Sequence, residues 1–360
     1  MPQALQLPNS ITAQTVLKKL TTLQELFRDG LNTLSANWGD KTRLTRSEWL
    51  RDQGQHGGGW RWGGFNSGIL NRGSLNISSV HYDNLPEKKL ASATALSCIV
   101  HPLYPGAPSL HTHISWTEMR DGQGGGWRLM ADLNPSTPFQ EDVELFNDKI
   151  DGSLSVLSSE WLTYAKAQGD RYFWIPSLNR HRGASHYYLE QWSSNSPHQD
   201  LDTAIGFGQA VIHAYLTIVE RSFELKSQRK VATLNAQLEY HSAYFLQVLT
   251  LDRGTSSGLL VHGQNDEGIL GSLPQKVDRS LLESWVGQQL KPQDLLLTKL
   301  IACLPSQRLC ELDQSTRRAL AQVIREHYKA HPKALALQAR GDVLPPTVAN
   351  HSSERSIKLS

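Results

Sequence analysis

Apolar residues at helical spacing mark the first part of the chain. From Ile11 to Leu34 the large apolar side chains recur every three or four positions, which predicts an amphipathic helix that packs on a core. Residues 57–64, GGGWRWGG, follow it. So many glycines do not suit a helix interior, and we predict a loop here, either over a ligand or at the plain surface.

The apolar pattern then changes to a period of two, which is typical of strands. Pro, Gly or Asn residues bound these segments, and turns between several of them favour antiparallel pairing. Predicted strands cover residues 74–82, 95–101, 109–119, 127–133, 171–176, 185–192, 243–251 and 258–262. Predicted helices cover residues 139–168, 200–228 and 279–303. Since helices and strands are partly segregated along the chain, the predicted fold class is α+β, with helices covering a sheet of about eight strands.

The last part of the chain differs from the rest. Residues 291–336 have a helical pattern, whereas residues 341–360 contain prolines and polar side chains and are expected to lie loose. The predicted division is one domain over residues 1–290, a helical extension over 291–338 and a flexible tail over 339–360.

Composition narrows the function classes. The chain has 360 residues, 39% of them hydrophobic and 19% charged, and a formal net charge of +2 with dispersed Lys and Arg. This composition suits a globular protein and argues against nucleic-acid binding. No stretch reaches the roughly 20 apolar residues of a membrane helix, and residues 1–14 lack the features of a signal peptide, so the expected compartment is the cytoplasm. Cys98, Cys303 and Cys310 form no CxxC pair, and we expect buried thiols rather than a zinc site or a disulfide.

One predicted strand carries two histidines on the same face. Strand alternation in residues 109–116, SLHTHISW, places His111, His113 and Ser115 together. Two imidazoles on one face can share a proton, a metal or an anion, although a polar, half-solvated strand face explains the pattern equally well. His101 and His81 end neighbouring predicted strands, so that four histidines are expected at one end of the sheet. No carboxylate or cysteine completes a metal signature by spacing.

Two carboxylates follow apolar segments that we predict to be strands. Burial of Asp132 would raise its pKa and suit it to holding a proton from a polar N–H group, whereas a turn cap is the alternative. Asp252 and Arg253 are expected at a second strand end, where they either pair with each other or hold a ligand. The chain contains no GxSxG elbow, P-loop or dinucleotide fingerprint, which argues against hydrolase, nucleotide-dependent and nicotinamide-dependent chemistry.

Seven colinear matches spread over residues 46–285 point to one family. They are RSEW (46–49) with LNISSVH (75–81), SCIVHP (97–102) with LHTH (110–113), ADLNP (131–135) with ED (141–142), YFWIP (172–176) with RG (182–183), AYLTIVER (214–221), DRGT (252–255) with GL (258–259), and ILGSLP (269–274). Taken in this order, the segments resemble the oxygen-dependent coproporphyrinogen III oxidases, as a divergent member.

The resemblance implies a large flat antiparallel sheet of about seven or eight strands between helical layers, and a homodimer. It also implies oxidative decarboxylation of two propionates of a reduced tetrapyrrole, with dioxygen as co-substrate and no organic cofactor. By position, His111 matches the family's proposed proton donor, and Asp132 would hold the pyrrole N–H groups. Ser97 matches a substrate contact, and His101 with His111 match two proposed ligands of a divalent metal.

The chain departs from the family pattern at several substrate contacts. An asparagine and an arginine of the family become His113 and Ser115, and the segment that would supply a second arginine becomes His262-Gly263-Gln264. Each change removes a group suited to carboxylates, and Arg128, Arg182 or Arg253 are the residues that could replace the lost cations. The predicted substrate-binding residues are Ser97, His113, Ser115, Arg182, Asp252, Arg253, Gly263 and Gln264.

Three functions therefore remain open. The first is coproporphyrinogen oxidation itself. The second is a paralogous oxygen-using oxidase or decarboxylase that acts on a different, less anionic small molecule. The third is a non-catalytic tetrapyrrole-binding protein. Retention of His111 and Asp132 favours the first two, whereas loss of the arginines favours the last two.

Overall fold

A seven-stranded antiparallel sheet forms the centre of the molecule. The computed structural model describes residues 4–38, 44–120, 124–194, 196–263 and 265–343. Its strands are β1 (Thr45–Leu50), β2 (Gly57–Ser67), β3 (Leu70–His81), β4 (Leu90–Pro102), β5 (Ser109–Met119), β6 (Gly125–Asn134), β7 (Trp174–Ile175), β8 (Arg180–His181), β9 (Ser185–Trp192), β10 (Lys276–Asp278) and β11 (Leu309–Glu311). The order in the main sheet is β1-β2-β3-β4-β5-β6-β9, while β7 pairs with β8 and β10 with β11.

Helices cover both faces of this sheet. They are α1 (Ile11–Asn37), α2 (Gln140–Ser153), α3 (Ser159–Phe173), α4 (Pro197–Glu224), α5 (Leu234–Thr250), α6 (Arg253–Val261), α7 (Asp266–Leu270), α8 (Arg279–Trp285), α9 (Gln293–Ala302) and α10 (Gln314–Ala330). None of the helices in the described residues is long and apolar enough to span a membrane. The predicted α+β class, with a sheet of about seven or eight strands between helical layers, is confirmed.

The two faces of the sheet pack differently. One face meets α1, α2, α3 and α4 in an apolar core that includes Leu75, Leu96 and Ile114, all at most 1% exposed. A second core joins α5 to α10, and Ile99 packs against it from the opposite face of the sheet. The space left between that opposite face and the second helical layer is where a ligand can enter.

Five of the predicted strands are confirmed, and three predictions were wrong. Residues 171–173 end α3, and only residues 174–175 form a strand, while residues 243–251 and 258–262 lie mainly in α5 and α6. Every residue of α5 from Tyr240 to Thr250 is buried. Because this helix has no polar side there, its sequence lacks the period of 3.6 by which a helix is recognised.

The predicted helices begin and end near the observed ones, with two exceptions. Residues 139–168 contain α2 and most of α3, and residues 279–303 contain α8 and α9. In each case a short break divides one predicted helix into two. Residues 291–336 are largely helical, as predicted, and the division of the chain at residue 290 stays a prediction.

The glycine-rich stretch is a strand rather than the predicted loop. Residues 57–64 lie in β2, between β1 and β3. At Gly59 a Cβ atom would lie 2.0 Å from the carbonyl oxygen of Ile77, so no larger residue fits this position. The glycine here permits a close approach of neighbouring strands.

Candidate active site

A cavity of about 260 Å³ lies between the sheet and the helices α6 and α7. Its floor is the face that carries His111 and His113, and its roof includes Arg253, Gly258 and Ile269. The volume is just below the range of about 300–1,000 Å³ found for small-molecule sites. This is the cavity in which the candidate chemistry of the chain is concentrated.

Small side chains form the middle of the cavity floor. Paired positions on successive strands run from Trp49 through Gly59, Ser78, Ala95 and Ser115 to Arg128. We call the four central residues, Gly59, Ser78, Ala95 and Ser115, the small-residue row. Since neighbouring strands lie about 4.8 Å apart, this row is about 14 Å long. It leaves a flat space that suits a broad, planar ligand.

His111 and Asp132 are direct partners on β5 and β6. His111 faces the same cavity floor as Ser115, two cavity-facing positions away along β5. The His111 Nδ1 atom lies 2.8 Å from Asp132 Oδ1. Arg182 Nη2 donates to Asp132 Oδ2 at 2.8 Å, and Asn134 Nδ2 donates to the same oxygen at 2.6 Å. Asp132 therefore orients the imidazole of His111, and Nε2 is the ring nitrogen left to exchange a proton with a ligand.

The pKa of Asp132 moves in the opposite direction from the one predicted. Asp132 is 0% exposed. Burial alone would raise its pKa, but the nearby charges of Arg182 and His111 and the hydrogen bonds from His111 and Asn134 hold it well below its ordinary value. The prediction counted desolvation and missed the buried guanidinium that outweighs it. Asp132 is thus a fixed negative charge rather than a proton carrier.

Arg182 is the buried partner of this carboxylate. Its side chain is 1% exposed, and Nη1 donates to Gln247 Oε1 at 2.6 Å. Burial would lower the pKa of Arg182, but Asp132 raises it above the ordinary value. Neither Arg182 nor Asp132 is among the described residues that line the cavity, whereas His111 is. Their direct contact with a substrate stays a prediction, and both act on the cavity through His111.

The other histidines near the cavity are held neutral. Burial, with smaller effects of Arg128 and His111, lowers the pKa of His113 well below its ordinary value. Burial and the charge of Arg51 lower the pKa of His262 to about 3. His113 and His262 therefore supply polar, uncharged surface at neutral pH.

The residues around His101 do not fit a metal ion. His101 is 0% exposed, with Nδ1 2.9 Å from Ser109 Oγ and Nε2 3.2 Å from the Ser272 carbonyl oxygen. Both ring nitrogens are thus used by protein groups. The described ranges contain no group of three or more His, Cys, Asp or Glu residues that could hold a metal. His81 was wrongly expected nearby, since it pairs with Ser92 at the opposite end of β4.

Arg128 borders the small-residue row and is already paired. Its Nε and Nη2 atoms donate to the two carboxylate oxygens of Glu190 at 2.5 and 3.0 Å. Although burial would lower the pKa of Arg128, Glu190 raises it above its ordinary value. Tyr188 also donates a hydrogen bond to Glu190. Arg128 and Glu190 together bring no net charge to the cavity.

Asp252 and Arg253 lie at the start of α6, not at the predicted strand end. Asp252 caps this helix by accepting from the Thr255 N–H at 2.7 Å, and it accepts from the Tyr172 hydroxyl at 2.7 Å. Arg253 donates to the Leu335 carbonyl oxygen at 3.2 Å and forms no ion pair with a described carboxylate. Burial lowers the pKa of Arg253. Arg253 therefore gives the cavity a cation that a substrate carboxylate can neutralise.

The cavity brings together most of the predicted site residues. Those that line it are Ser97, His111, His113, Ser115, Asp252 and Arg253. Gly263 lies in an exposed turn next to His262, which lines the cavity, but is not itself among the described lining residues, and Gln264 lies outside the described residues. The contacts assigned to Gly263 and Gln264 stay predictions.

Sequence reasoning missed one wall of the cavity. Tyr172 and Tyr188, whose ring centroids are 4.9 Å apart, form what we call the tyrosine wall. Tyr172 was missed because residues 171–176 were predicted to be a strand, whereas Tyr172 lies in α3. Tyr188 could have been found, since alternation in residues 185–192 places it on one face with Glu190. At the far end of the floor, Trp49 completes the lining.

One comparison bears on this geometry. The sequence model of a protein family described as coproporphyrinogen III oxidase matches residues 16–284. The match covers about three quarters of the chain, including the whole seven-stranded sheet and α6, α7 and their cavity. It ends before α9 and α10.

Proposed function

The chain belongs to the coproporphyrinogen III oxidase family, and from this premise we propose that it is an oxygen-dependent oxidase of tetrapyrrole propionates. The proposed substrate is coproporphyrinogen III and the product protoporphyrinogen IX. Dioxygen is the co-substrate, and no organic cofactor takes part. A homodimer in the cytoplasm belongs to the same proposal.

The observation that carries the proposal is the position of His111, held by Asp132, on the same cavity floor as the small-residue row. A broad macrocycle needs a floor without large side chains, and the floor at Ser78, Ala95 and Ser115 has none. A ligand on this floor has a substituent within reach of His111. The roof presents Arg253 to a carboxylate from the opposite side.

Each turnover of one propionate consumes one dioxygen and one proton. The C–H bond next to the ring gives its two electrons and its hydrogen to dioxygen, and the C–CO₂⁻ bond breaks so that its electron pair forms the vinyl double bond. With one added proton, the products are the vinyl group, carbon dioxide and hydrogen peroxide. The electron-rich pyrrole makes this oxidation feasible without a further oxidant, and the protein contributes position and charge.

In this proposal His111 supplies the proton from Nε2. Asp132 holds Nδ1 and stabilises the imidazolium before the transfer. Burial would raise the pKa of Asp132, but Arg182 and His111 keep it low, so Asp132 does not take the proton away. The proton that His111 and Asp132 can supply therefore stays on His111, which faces the cavity, and not on the buried Asp132.

A second candidate is an oxidase or decarboxylase of a less anionic substrate. Arg128 is the direct cross-strand partner of Ser115, so a guanidinium lies next to the position where the family pattern would place one. However, Glu190 neutralises it through two hydrogen bonds. This pairing favours a ligand that has fewer carboxylates next to Arg128. The second candidate is kept for this reason.

An assay with coproporphyrinogen III tests the first candidate. Purified protein is given the substrate with and without air, and carbon dioxide and vinyl products are followed by mass spectrometry. We expect turnover only with air, and His111→Gln should lower the rate by about 10²–10⁴-fold, as for loss of a general acid. His198→Gln is the matched control, since the His198 side chain is 87% exposed.

The outcomes separate the candidates. Folded protein that binds coproporphyrinogen III without turning it over is a tetrapyrrole-binding protein and not the proposed oxidase. Folded protein that does neither points to the second candidate. A His111→Gln variant as active as the control removes His111 from the proposed role.

A further inference from the structure

Three polar side chains cross the cavity floor next to the small-residue row. Asn76 on β3 is the direct partner of Ser97 on β4, and Ser97 is the direct partner of His113 on β5. All three line the cavity and are half-buried. We call them the polar row. Sequence reasoning predicted substrate contacts at Ser97 and His113 but not at Asn76.

The polar row lies between the small-residue row and His111. Along β5 the cavity-facing residues include Ser115, His113 and His111 in succession. Since a strand rises about 3.4 Å per residue, His113 lies about 7 Å along the strand from each of the other two. A ligand that covers the small-residue row and also reaches His111 therefore has its central part over the polar row.

The side chains of the polar row have no described partners. Those of Asn76, Ser97 and His113 form no hydrogen bond with another residue that the structure describes, and Asn76 Oδ1 is buried without a partner. A buried amide oxygen left unpaired costs free energy, and such groups normally have a partner. The Asn76 amide can turn about its last side-chain torsion, which has a broad, roughly two-fold preference. Its oxygen can therefore face a ligand without loss of a described hydrogen bond.

The polar row carries no charge. Asn76 is neutral, and burial lowers the pKa of His113 well below its ordinary value, so that His113 is uncharged near pH 7. Arg61, the partner of Asn76 on β2, donates to the Glu267 carbonyl oxygen and is not among the described lining residues. Carboxylates are bound most strongly by cations. The polar row is thus better suited to the N–H groups of a ligand than to its carboxylates.

Asn76 is also better placed than Asp132 to accept from a ligand N–H. The family resemblance implies Asp132 for this role. However, both carboxylate oxygens of Asp132 already accept hydrogen bonds from protein groups. Asp132 is 0% exposed and is not among the described lining residues, whereas Asn76 is. The free acceptor on the floor is therefore the amide oxygen of Asn76.

We propose that Asn76 is a specificity-determining residue that accepts a hydrogen bond from a pyrrole N–H of the ligand, with Ser97 and His113 beside it. The inference rests on the proposed function in taking the ligand to be a tetrapyrrole. In coproporphyrinogen III, saturated carbons join the pyrrole rings, so that the rings can tilt and turn their N–H groups toward the floor. In coproporphyrin III the macrocycle is planar and its N–H groups point to its centre. Asn76 therefore favours the reduced macrocycle over the oxidised one.

Binding of these two ligands without air tests the proposal independently of turnover. Dissociation constants of coproporphyrinogen III and coproporphyrin III are measured by anaerobic calorimetry, and their ratio is the selectivity for the reduced ligand. Both ligands are tetracarboxylates, so effects that act through their charge cancel in the ratio. The proteins are wild type, Asn76→Leu, which removes the acceptor at similar size, and Asn76→Asp, which keeps it. Asn37→Leu is the matched control, since Asn37 is exposed at the end of α1 and is not among the described lining residues.

We expect Asn76→Leu to lower the selectivity about tenfold by weakening the reduced ligand, as for loss of one hydrogen bond that leaves its donor unpaired. Asn76→Asp should keep the selectivity, and Asn37→Leu should match wild type. Thermal unfolding shows whether each variant is folded. If Asn76→Leu is not, Asn76→Ala takes its place with the same expected loss.

The remaining outcomes separate this inference from the proposed function. Unchanged selectivity in Asn76→Leu, or a loss in Asn76→Asp as large as in Asn76→Leu, rejects the role of Asn76 and keeps the tetrapyrrole site. Selectivity that depends on Asn76, in a protein that does not turn over coproporphyrinogen III in air, keeps the role of Asn76 and rejects the oxidase. Wild-type protein that binds neither ligand overturns both.

Discussion

The two faces of the central sheet are made by alternate residues of the same strands, yet they have opposite properties. On β4, Leu96 and Cys98 point into the apolar core against the first helical layer, whereas Ala95 and Ser97 line the cavity. One face gains stability from large side chains that exclude water. The other face gains room for a ligand because its side chains are small. Because alternate side chains of a strand point to opposite faces, one sheet can carry a core on one face and a binding floor on the other, one residue out of phase.

The cavity face also depends on charge where the core face depends on apolar packing. Asp132 and Arg182 form a fully buried ion pair beside the floor. Removing one partner of such a pair leaves the other charge buried and uncompensated. The two faces should therefore respond differently to acid.

The largest expected effect is that of Asp132→Asn on stability. At neutral pH we expect a loss of about 3–5 kcal/mol, because Arg182 keeps its charge without a counter-charge. The folded-state pKa of Asp132 lies below its unfolded value of about 3.9, so this stabilisation is present above about pH 4 and is lost as the pH falls toward the folded-state pKa. Urea unfolding at pH 7 and pH 3 should show the difference from wild type shrinking in acid.

Leu96→Ala is the comparison for that measurement. Its loss of unfolding free energy comes from reduced apolar burial and should be similar at both pH values. An Asp132→Asn deficit of the same size at pH 7 and pH 3 would contradict the role of the ion pair.

The next expected effect separates the two faces of β4 directly. Leu96→Ala should lower the free energy of unfolding by about 2–5 kcal/mol and leave binding of coproporphyrin III nearly unchanged. Ala95→Leu should weaken binding of coproporphyrin III and leave the free energy of unfolding nearly unchanged. The larger side chain lies in the small-residue row and does not enter the core. Unfolding curves and fluorescence titrations on the two variants check this pair. Normal binding by Ala95→Leu would mean that the ligand does not lie on this floor.

The smallest expected effect concerns the border of the floor. Glu190→Gln removes the counter-charge of Arg128, and we expect coproporphyrin III to bind up to about tenfold more tightly, as for one new charge-assisted contact. The tetramethyl ester, which lacks the charges, should show no such gain. Glu48→Gln is the control, since Glu48 is an exposed acid on β1 with a 63% exposed side chain. No difference between acid and ester would show that Arg128 does not face substrate carboxylates.

Much of the candidate site could be predicted because it lies on regular strands. Once residues 109–119 are taken as a strand, alternation places His111, His113 and Ser115 on one face, and the structure confirms it. The state of Asp132 could not be predicted in the same way. Its pKa depends on Arg182, which lies 50 residues away along the chain and reaches the carboxylate only in the folded protein.

The second helical layer was the least predictable part of the fold. Helix α5 is buried along most of its length, so its sequence contains no polar stripe to mark its period. Asp252 and Arg253 were placed at a strand end for the same reason. Asp252 caps α6 and Arg253 lines the cavity only because α6 begins at the cavity roof, which is set by the tertiary structure.

The sequence by itself determined the α+β class, five strands of the central sheet, the phase of β5 and the family. Those properties follow from local periodicity and from the order of short segments, both of which can be read along the chain. Only the tertiary structure decided that Asp132 is paired with Arg182 and that Glu190 neutralises Arg128. Charge balance in a cavity depends on distances between residues far apart in sequence, and folding alone sets those distances.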